Sequence, residues 1–159
     1  MPNVTEAELI DRVQQIAPAI AGRAPQCEAD RKPHDDSMQE LMDAEVFSVF
    51  TPKRYGGHEL SLNTHVKIVE IIGAACMSTA WVSAFYIGHN WMAVKFGEEM
   101  QEELWADRPY ALIPITTNPP VKAKAVDGGW EIKNIVVQVP WGKVSGPMPP
   151  YDQEVIRGQ

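Results

Sequence analysis

The spacing of hydrophobic residues changes once along this sequence, at Arg108-Pro109, and that change limits the fold more than any other feature. Before it, apolar residues recur three and four positions apart, as on one face of a helix. After it they alternate every second position, as on a strand. Helices first and strands later fit an α+β arrangement, because βαβ units need the two periods to alternate along the chain.

Leu9, Ile10, Val13, Ile16, Ala17 and Ile20 mark one helical face from Thr5 to about residue 23. Thr5 is expected to cap this helix with Glu8 completing a capping box, and Pro18 inside it predicts a kink. A polar connection over 28–33 leads to a second helix over 36–45, with Met38, Leu41 and Met42 inward. Thr51-Pro52-Lys53-Arg54-Tyr55-Gly56-Gly57 reads as a loop, since Pro and paired Gly supply turn geometry. A third helix is predicted over 62–75. Ser78 or Thr79 is expected to cap a fourth that runs to about Lys95. That helix is apolar nearly all round, which places it at the centre of the core. Gly97 separates it from a helix over 98–106.

Beyond Pro109, residues 110–115 read as a buried strand and 116–120 as a loop. Val121, Ala123 and Ala125 alternate with Lys122 and Lys124 up to the turn Asp127-Gly128-Gly129, and residues 130–135 return as the partner strand. Pro140, Pro147, Pro149 and Pro150 crowd together with Gly142 and Gly146, which predicts an irregular tail. The expected division is a helical domain over 1–108, the start of a β-domain over 109–139, and the tail over 140–159.

Charge and cysteine usage narrow the function. The net charge of −7 argues against nucleic acid or an anionic membrane as partner, since both need clustered Lys and Arg. Cys27 and Cys76 show no metal-ligand spacing and no disulfide framework, and no signal peptide is visible, so a reducing cytoplasm is expected. The most apolar stretch, 79–94, is short for a bilayer and contains Gly88, His89 and Asn90, so it reads as a buried helix. His34-Asp35-Asp36 reads as a solvated helix cap, because adjacent residues rarely converge on one ion; no metal is expected. No G-x-S-x-G, Walker loop or H-E-x-x-H occurs.

Several short segments then follow one another in a telling order. They are Pro52-Lys53-Arg54-Tyr55-Gly56-Gly57, Ser78-Thr79-Ala80-Trp81, Gly88-His89-Asn90-Trp91, Phe96 with Gln101-Glu102-Glu103-Leu104-Trp105, and Asp127-Gly128-Gly129-Trp130. In that order, across about residues 5–133, they resemble the oxygenase components of two-component flavin monooxygenases, which share the acyl-CoA dehydrogenase fold. The resemblance implies an N-terminal helical bundle followed by the first strands of an incomplete acyl-CoA dehydrogenase-type β-barrel. It implies a truncated, frameshifted or fragmentary chain, because that family's C-terminal four-helix bundle does not follow. It also implies reduced FMN or FAD supplied by a separate flavin reductase, an aromatic, phenol-type substrate that is hydroxylated, and a homo-oligomer.

Dehydrogenases of this fold carry an acidic, glycine-rich loop where this sequence has Thr116-Thr117-Asn118-Pro119-Pro120, which favours the monooxygenase branch. The alternatives are an acyl-CoA dehydrogenase-like flavoprotein and a non-catalytic remnant of the same fold.

His89 is the candidate catalytic residue. On the fourth helix it shares a face with Val82, Phe85 and Tyr86, and the matching histidine of the resembling family points into the substrate pocket, where it can assist deprotonation of a phenol. A core histidine bonded to a backbone carbonyl is the plainer reading. Trp81 and Phe85 are candidate substrate-binding residues, and with Trp91 they could wall an aromatic pocket, although aromatics at helical spacing also build ordinary core. Tyr55-Gly56-Gly57 reads as a tight turn before it reads as a contact. The resemblance places Thr116, Thr117 and Asn118 in the flavin-contact loop, where Pro119 and Pro120 remove two backbone donors. Ser145-Gly146 falls too late in the sequence to take the role of the family's flavin-proximal serine.

Overall fold

The computed structural model describes residues 4–113, 123–126, 129–132 and 156–157. The chain divides into two compact units, Met1–Ile113 and Pro114–Gln159. The first is helical and the second is described at three strands, so the α+β order expected from the sequence holds.

In the helical unit, α1 spans Glu6–Asp30, α2 Asp35–Asp43, α3 Leu62–Ala75, α4 Met77–Ala93 and α5 Glu98–Leu104. The α1 cap is the one its sequence specifies. The Thr5 hydroxyl accepts from the Glu8 backbone N–H at 3.2 Å, and the Glu8 carboxylate accepts from the Thr5 N–H at 2.7 Å. Between α2 and α3 the chain makes two short 3-10 turns, Val46–Ser48 and Lys53–Tyr55. The second ends at Gly56 with φ of 84°, a left-handed conformation that glycine adopts without a Cβ penalty.

The core of this unit is built from Leu9, Val13 and Ile20 of α1, Leu41 of α2, Phe47 in the first 3-10 turn, Ile68 and Ile72 of α3, and Ile87 of α4, all fully buried. Each such side chain contributes about 1.5–3 kcal/mol on leaving water. Cys27 and Cys76 are both buried and free. Among the described residues no helix is long and apolar enough to cross a membrane.

Several boundaries differ from the expectation. The first helix runs to Asp30, not residue 23, because Cys27 extends its buried face past Ile20. Pro18 and Pro25 lie inside it on exposed positions and do not end it. The fourth helix is capped by neither Ser78 nor Thr79. Cys76, in extended conformation, is the single residue that joins α3 to α4, and Thr79 is buried within the first turn. Nor is α4 enclosed all round: Met77, Trp81, Phe85, Trp91 and Met92 are exposed. Residues 110–113 form no strand, since their backbone is held by helix side chains rather than by a neighbouring ladder; 114 and 115 lie outside the described residues.

In the second unit β1, Ala123–Val126, pairs antiparallel with β2, Gly129–Ile132. The register sets Val126 opposite Gly129, leaving residues 127 and 128 between the strands, where the sequence places its turn. A two-residue strand β3, Ile156–Arg157, adds to β2 in antiparallel sense, so the sheet order is β1-β2-β3. The irregular tail expected over 140–159 is therefore interrupted at these two positions; its other residues lie outside the described set.

Candidate functional site

Two faces of α4 do different work. Thr79, Ala80, Ser83, Ile87, Asn90 and Ala93 are buried against the other helices. At 100° per residue, Met77, Trp81, Phe85 and Met92 fall on one stripe of the opposite side, with His89 at its edge. Trp81 and Phe85 are each 46% exposed and their ring centroids are 5.2 Å apart, with planes tilted by 59°. The Phe85 ring lies 5.6 Å from the His89 imidazole at 55°. Residues 81, 85 and 89 thus form a ladder of i, i+4 contacts, with ring separations in the range aromatic pairs favour.

His89 is half-buried, and its Nδ1 hydrogen-bonds the carbonyl oxygen of Ile113. A carbonyl only accepts, so Nδ1 carries the hydrogen and the neutral ring keeps its lone pair on Nε2. The plainer reading of this histidine, a ring bonded to a backbone carbonyl, is therefore compatible with a chemical one. That bond occupies Nδ1 and leaves the Nε2 lone pair outside it.

The other residues expected near His89 separate. Tyr86 points inward and meets Phe47 edge-on, with centroids 6.1 Å apart and planes at 86°. Trp91 is exposed and has the Lys95 ammonium 5.5 Å from its ring centre. Tyr55-Gly56-Gly57 forms the tight turn, and its neighbour Arg54 ties it to α5 through Glu98 at 2.8 Å and Gln101 at 3.1 Å. His34 is the N-cap of α2, where Nδ1 accepts from the Asp36 N–H at 3.2 Å. Thr116, Thr117, Asn118 and Ser145 lie outside the described residues.

Two buried amides that the sequence reading did not single out hold the site in place. Gln101 donates to the carbonyls of Val94 at 3.0 Å and Phe96 at 2.7 Å, satisfying groups at the end of α4. Asn90 bonds Tyr86, Trp105 and both backbone groups of Ala111. A signal for Asn90 existed: an amide within an apolar helical run must find partners if it is buried.

The chemistry of the stripe suits a flat aromatic group, a phenol or the edge of an isoalloxazine alike. Two exposed rings offer stacking surface, and an acceptor nitrogen stands beside them. Among the described residues no three His, Cys, Asp or Glu side chains gather to hold a metal ion.

Comparison with known proteins agrees with the helical fold. The family described as acyl-CoA dehydrogenase, N-terminal domain, matches residues 4–109. A pigment production hydroxylase of Rhodococcus sp. (strain ATCC 21145) is 43% identical over 130 residues, covering 82% of this chain and 34% of that protein. The oxygenase component of p-hydroxyphenylacetate 3-hydroxylase of Acinetobacter baumannii is 30% identical over 128 residues, 80% of this chain and 30% of its own length. Among solved structures, XiaF from Streptomyces sp. in complex with FADH2 and glycerol superposes with a TM-score of 0.75 at 27% identity, over 80% of this chain and 32% of that one. The chain spans about a third of the length of these relatives.

Proposed function

The chain belongs to the acyl-CoA dehydrogenase N-terminal domain family, and from that premise we propose that it is the substrate-facing helical part of a reduced-flavin-dependent aromatic monooxygenase. In this reading residues 1–108 are the helical domain and 109–139 open the middle β-domain. The protein works in the cytoplasm as a homo-oligomer, beside a flavin reductase. The single observation that carries the reading is the ladder Trp81, Phe85, His89 on the open face of α4, with Nδ1 of the imidazole bound to Ile113 and Nε2 unused by that bond.

The reduced flavin, when bound, supplies the electrons that activate oxygen. The residues of this chain prepare the substrate. Trp81 and Phe85 stack on a phenol ring and hold it flat along α4. The phenol hydroxyl then points past Phe85 toward His89. Nε2 accepts its proton, and the negative charge left on the phenolic oxygen enriches the ring carbons that receive oxygen. General-base assistance of this kind contributes about 100-fold or more to a rate. Thr116, Thr117 and Asn118 are proposed to hold the flavin through hydroxyl, amide and backbone groups. FADH2 or FMNH2 can serve; the FADH2 complex of the Streptomyces relative supports the former.

The test is a chimera in which residues 4–113, so that Ala111 and Ile113 stay with α4, replace the matching part of the Rhodococcus pigment production hydroxylase. Supplied with a flavin reductase, NADH, FAD or FMN, and a panel of phenols, it is expected to give hydroxylated product. A folded chimera that binds flavin, yet hydroxylates no phenol and shows no phenol-induced change in Trp81 or His89 signals, would overturn the reading.

A further inference from the structure

Asn90 is fully buried in the last turns of α4, and every hydrogen-bonding position of its amide is used. Nδ2 donates to the carbonyls of Tyr86 and Ala111, both at 2.8 Å. Oδ1 accepts from the Trp105 indole Nε1–H at 3.1 Å and from the Ala111 N–H at 3.0 Å. Burying an amide is costly unless it is satisfied, and here the satisfaction is complete. Two of the four bonds go to one residue. The side chain grips both backbone groups of Ala111 much as a neighbouring strand would.

That grip has a direct consequence for the site. Residues 111–113 have no regular structure of their own, so their position against α4 depends on side chains of the helical unit. Two residues beyond Ala111, the Ile113 carbonyl meets Nδ1 of His89. Asn90 and His89 are consecutive on α4. One residue clamps the segment, and the other takes its carbonyl. Which ring nitrogen of a histidine carries the proton is set by the partner of the other nitrogen.

We infer that Asn90 is a positioning residue that fixes the tautomer of His89: by holding Ala111 it places the Ile113 carbonyl on Nδ1 and leaves Nε2 as the proton acceptor. Without the clamp the segment moves, Nδ1 loses its acceptor, and the ring relaxes toward the Nε2–H tautomer that histidine ordinarily favours in water. The proton then sits on the nitrogen that must take one from the phenol. The catalytic consequence rests on the proposed role of His89, whereas the tautomer does not.

The experiment is a long-range proton–nitrogen correlation on the imidazoles of the labelled full chain, unmodified and as Asn90→Ala, Asn90→Asp and Trp105→Phe. Asn90→Asp is nearly isosteric, so it removes both donations without opening a cavity. The unmodified chain is expected to show His89 protonated at Nδ1, with Nε2 free of hydrogen. Both Asn90 variants are expected to shift His89 toward Nε2–H, while Trp105→Phe, which spares the Ala111 grip, keeps the original pattern. An Nε2–H pattern in the unmodified chain overturns the inference without any variant. So does an unchanged Nδ1–H pattern in a folded Asn90→Asp chain.

A second readout separates this inference from the functional reading. In the hydroxylating chimera, Asn90→Asp should lower kcat for phenol hydroxylation about tenfold or more while leaving KM for the phenol within about twofold. A tautomer shift with undiminished kcat would uphold the positioning role and remove His89 as the base.

Discussion

Gly57 lies so close to Thr51 that a Cβ on the glycine would come 2.1 Å from the Thr51 carbonyl oxygen. The approach follows from how the chain doubles back. His58 N–H donates to the Ser48 carbonyl at 3.0 Å, Glu59 N–H to Thr51 at 3.1 Å, and Leu60 N–H to Val49 at 2.8 Å. Val49, Phe50 and Thr51 are buried, so the obstructing oxygen cannot retreat. Gly57→Ala is therefore expected to cost about 3 kcal/mol or more. Gly56→Ala meets nothing nearer than Pro109 Cβ at 3.6 Å and carries only the left-handed backbone strain, about 1 kcal/mol. Urea unfolding followed by far-ultraviolet circular dichroism should rank them in that order, and equal midpoints would contradict the account.

His58, the next residue, gives the helical unit a pH dependence. It is buried, and its Nε2 has no hydrogen-bond partner among the described residues. Burial pushes its pKa below the ordinary 6.5; the Glu45 carboxylate, 3.9 Å away, pulls it partly back, and Arg12, paired with that carboxylate, adds to the lowering. The unfolded chain then takes up a proton before the folded one does. The stabilisation is fully present above pH 6.5 and is lost as pH falls toward the folded pKa. Glu40, lowered by its hydrogen bonds from Arg23, contributes in the same direction but only below its ordinary 4.5, so the two windows separate. His58→Gln should reduce, without abolishing, the decline in urea midpoint between about pH 7 and about pH 5, because burial lowers the pKa of His65 in the same window; an unchanged slope would mean that His58 contributes nothing to it.

The sequence made some elements of this architecture plain and hid others. The Thr5 and Glu8 capping box, the bounds of α3 and the hairpin around residues 127–128 are local features, so pattern alone located them. The open face of α4 was not legible, because a helix apolar nearly all round has too weak a period to say which side stays uncovered. His89 was placed correctly beside Phe85, but Tyr86 turns away to pack on Phe47. The clamp around Asn90 joins residues 15 and 21 positions apart in the chain, beyond the reach of any local signal. The same clamp explains why residues 110–113 read as a strand and are not one. An apolar run suits any buried extended segment, whichever groups bond its backbone.

His89 itself should act on chemistry rather than on cofactor retention. Its ring meets the Phe85 ring and the Ile113 carbonyl, and truncating it is expected to leave the neighbouring rings in place. In the hydroxylating chimera, His89→Ala is expected to lower phenol hydroxylation about 100-fold, the contribution of a positioned base. Flavin affinity, followed by fluorescence titration, should change less than about twofold. Loss of flavin binding in parallel with activity would reassign His89 to the cofactor.

The 159 residues taken alone are expected to release peroxide rather than hydroxylated product. Productive oxygen transfer requires the activated flavin to be kept from water until it meets the substrate, since water entry diverts the oxygen to hydrogen peroxide. The described residues of the helical unit leave the aromatic side chains of the candidate site largely exposed. Trp81, Phe85, Trp91 and Met92 are partly exposed on α4, with Phe96 and Met100 exposed just beyond its end. An apolar face of this extent also favours contact between copies of the chain over a dry, shaped pocket. Reduced flavin held against this face would be weakly bound and freely hydrated. With flavin reductase, NADH, FAD and a phenol panel, the isolated chain should consume NADH, yield peroxide measurable by a peroxidase assay, and give no hydroxylated phenol above the level of free flavin. It should also elute as concentration-dependent oligomers on gel filtration. Stoichiometric hydroxylated product from the isolated chain would show that the open face of α4 suffices to protect the reaction, and the requirement for enclosure would have to be abandoned.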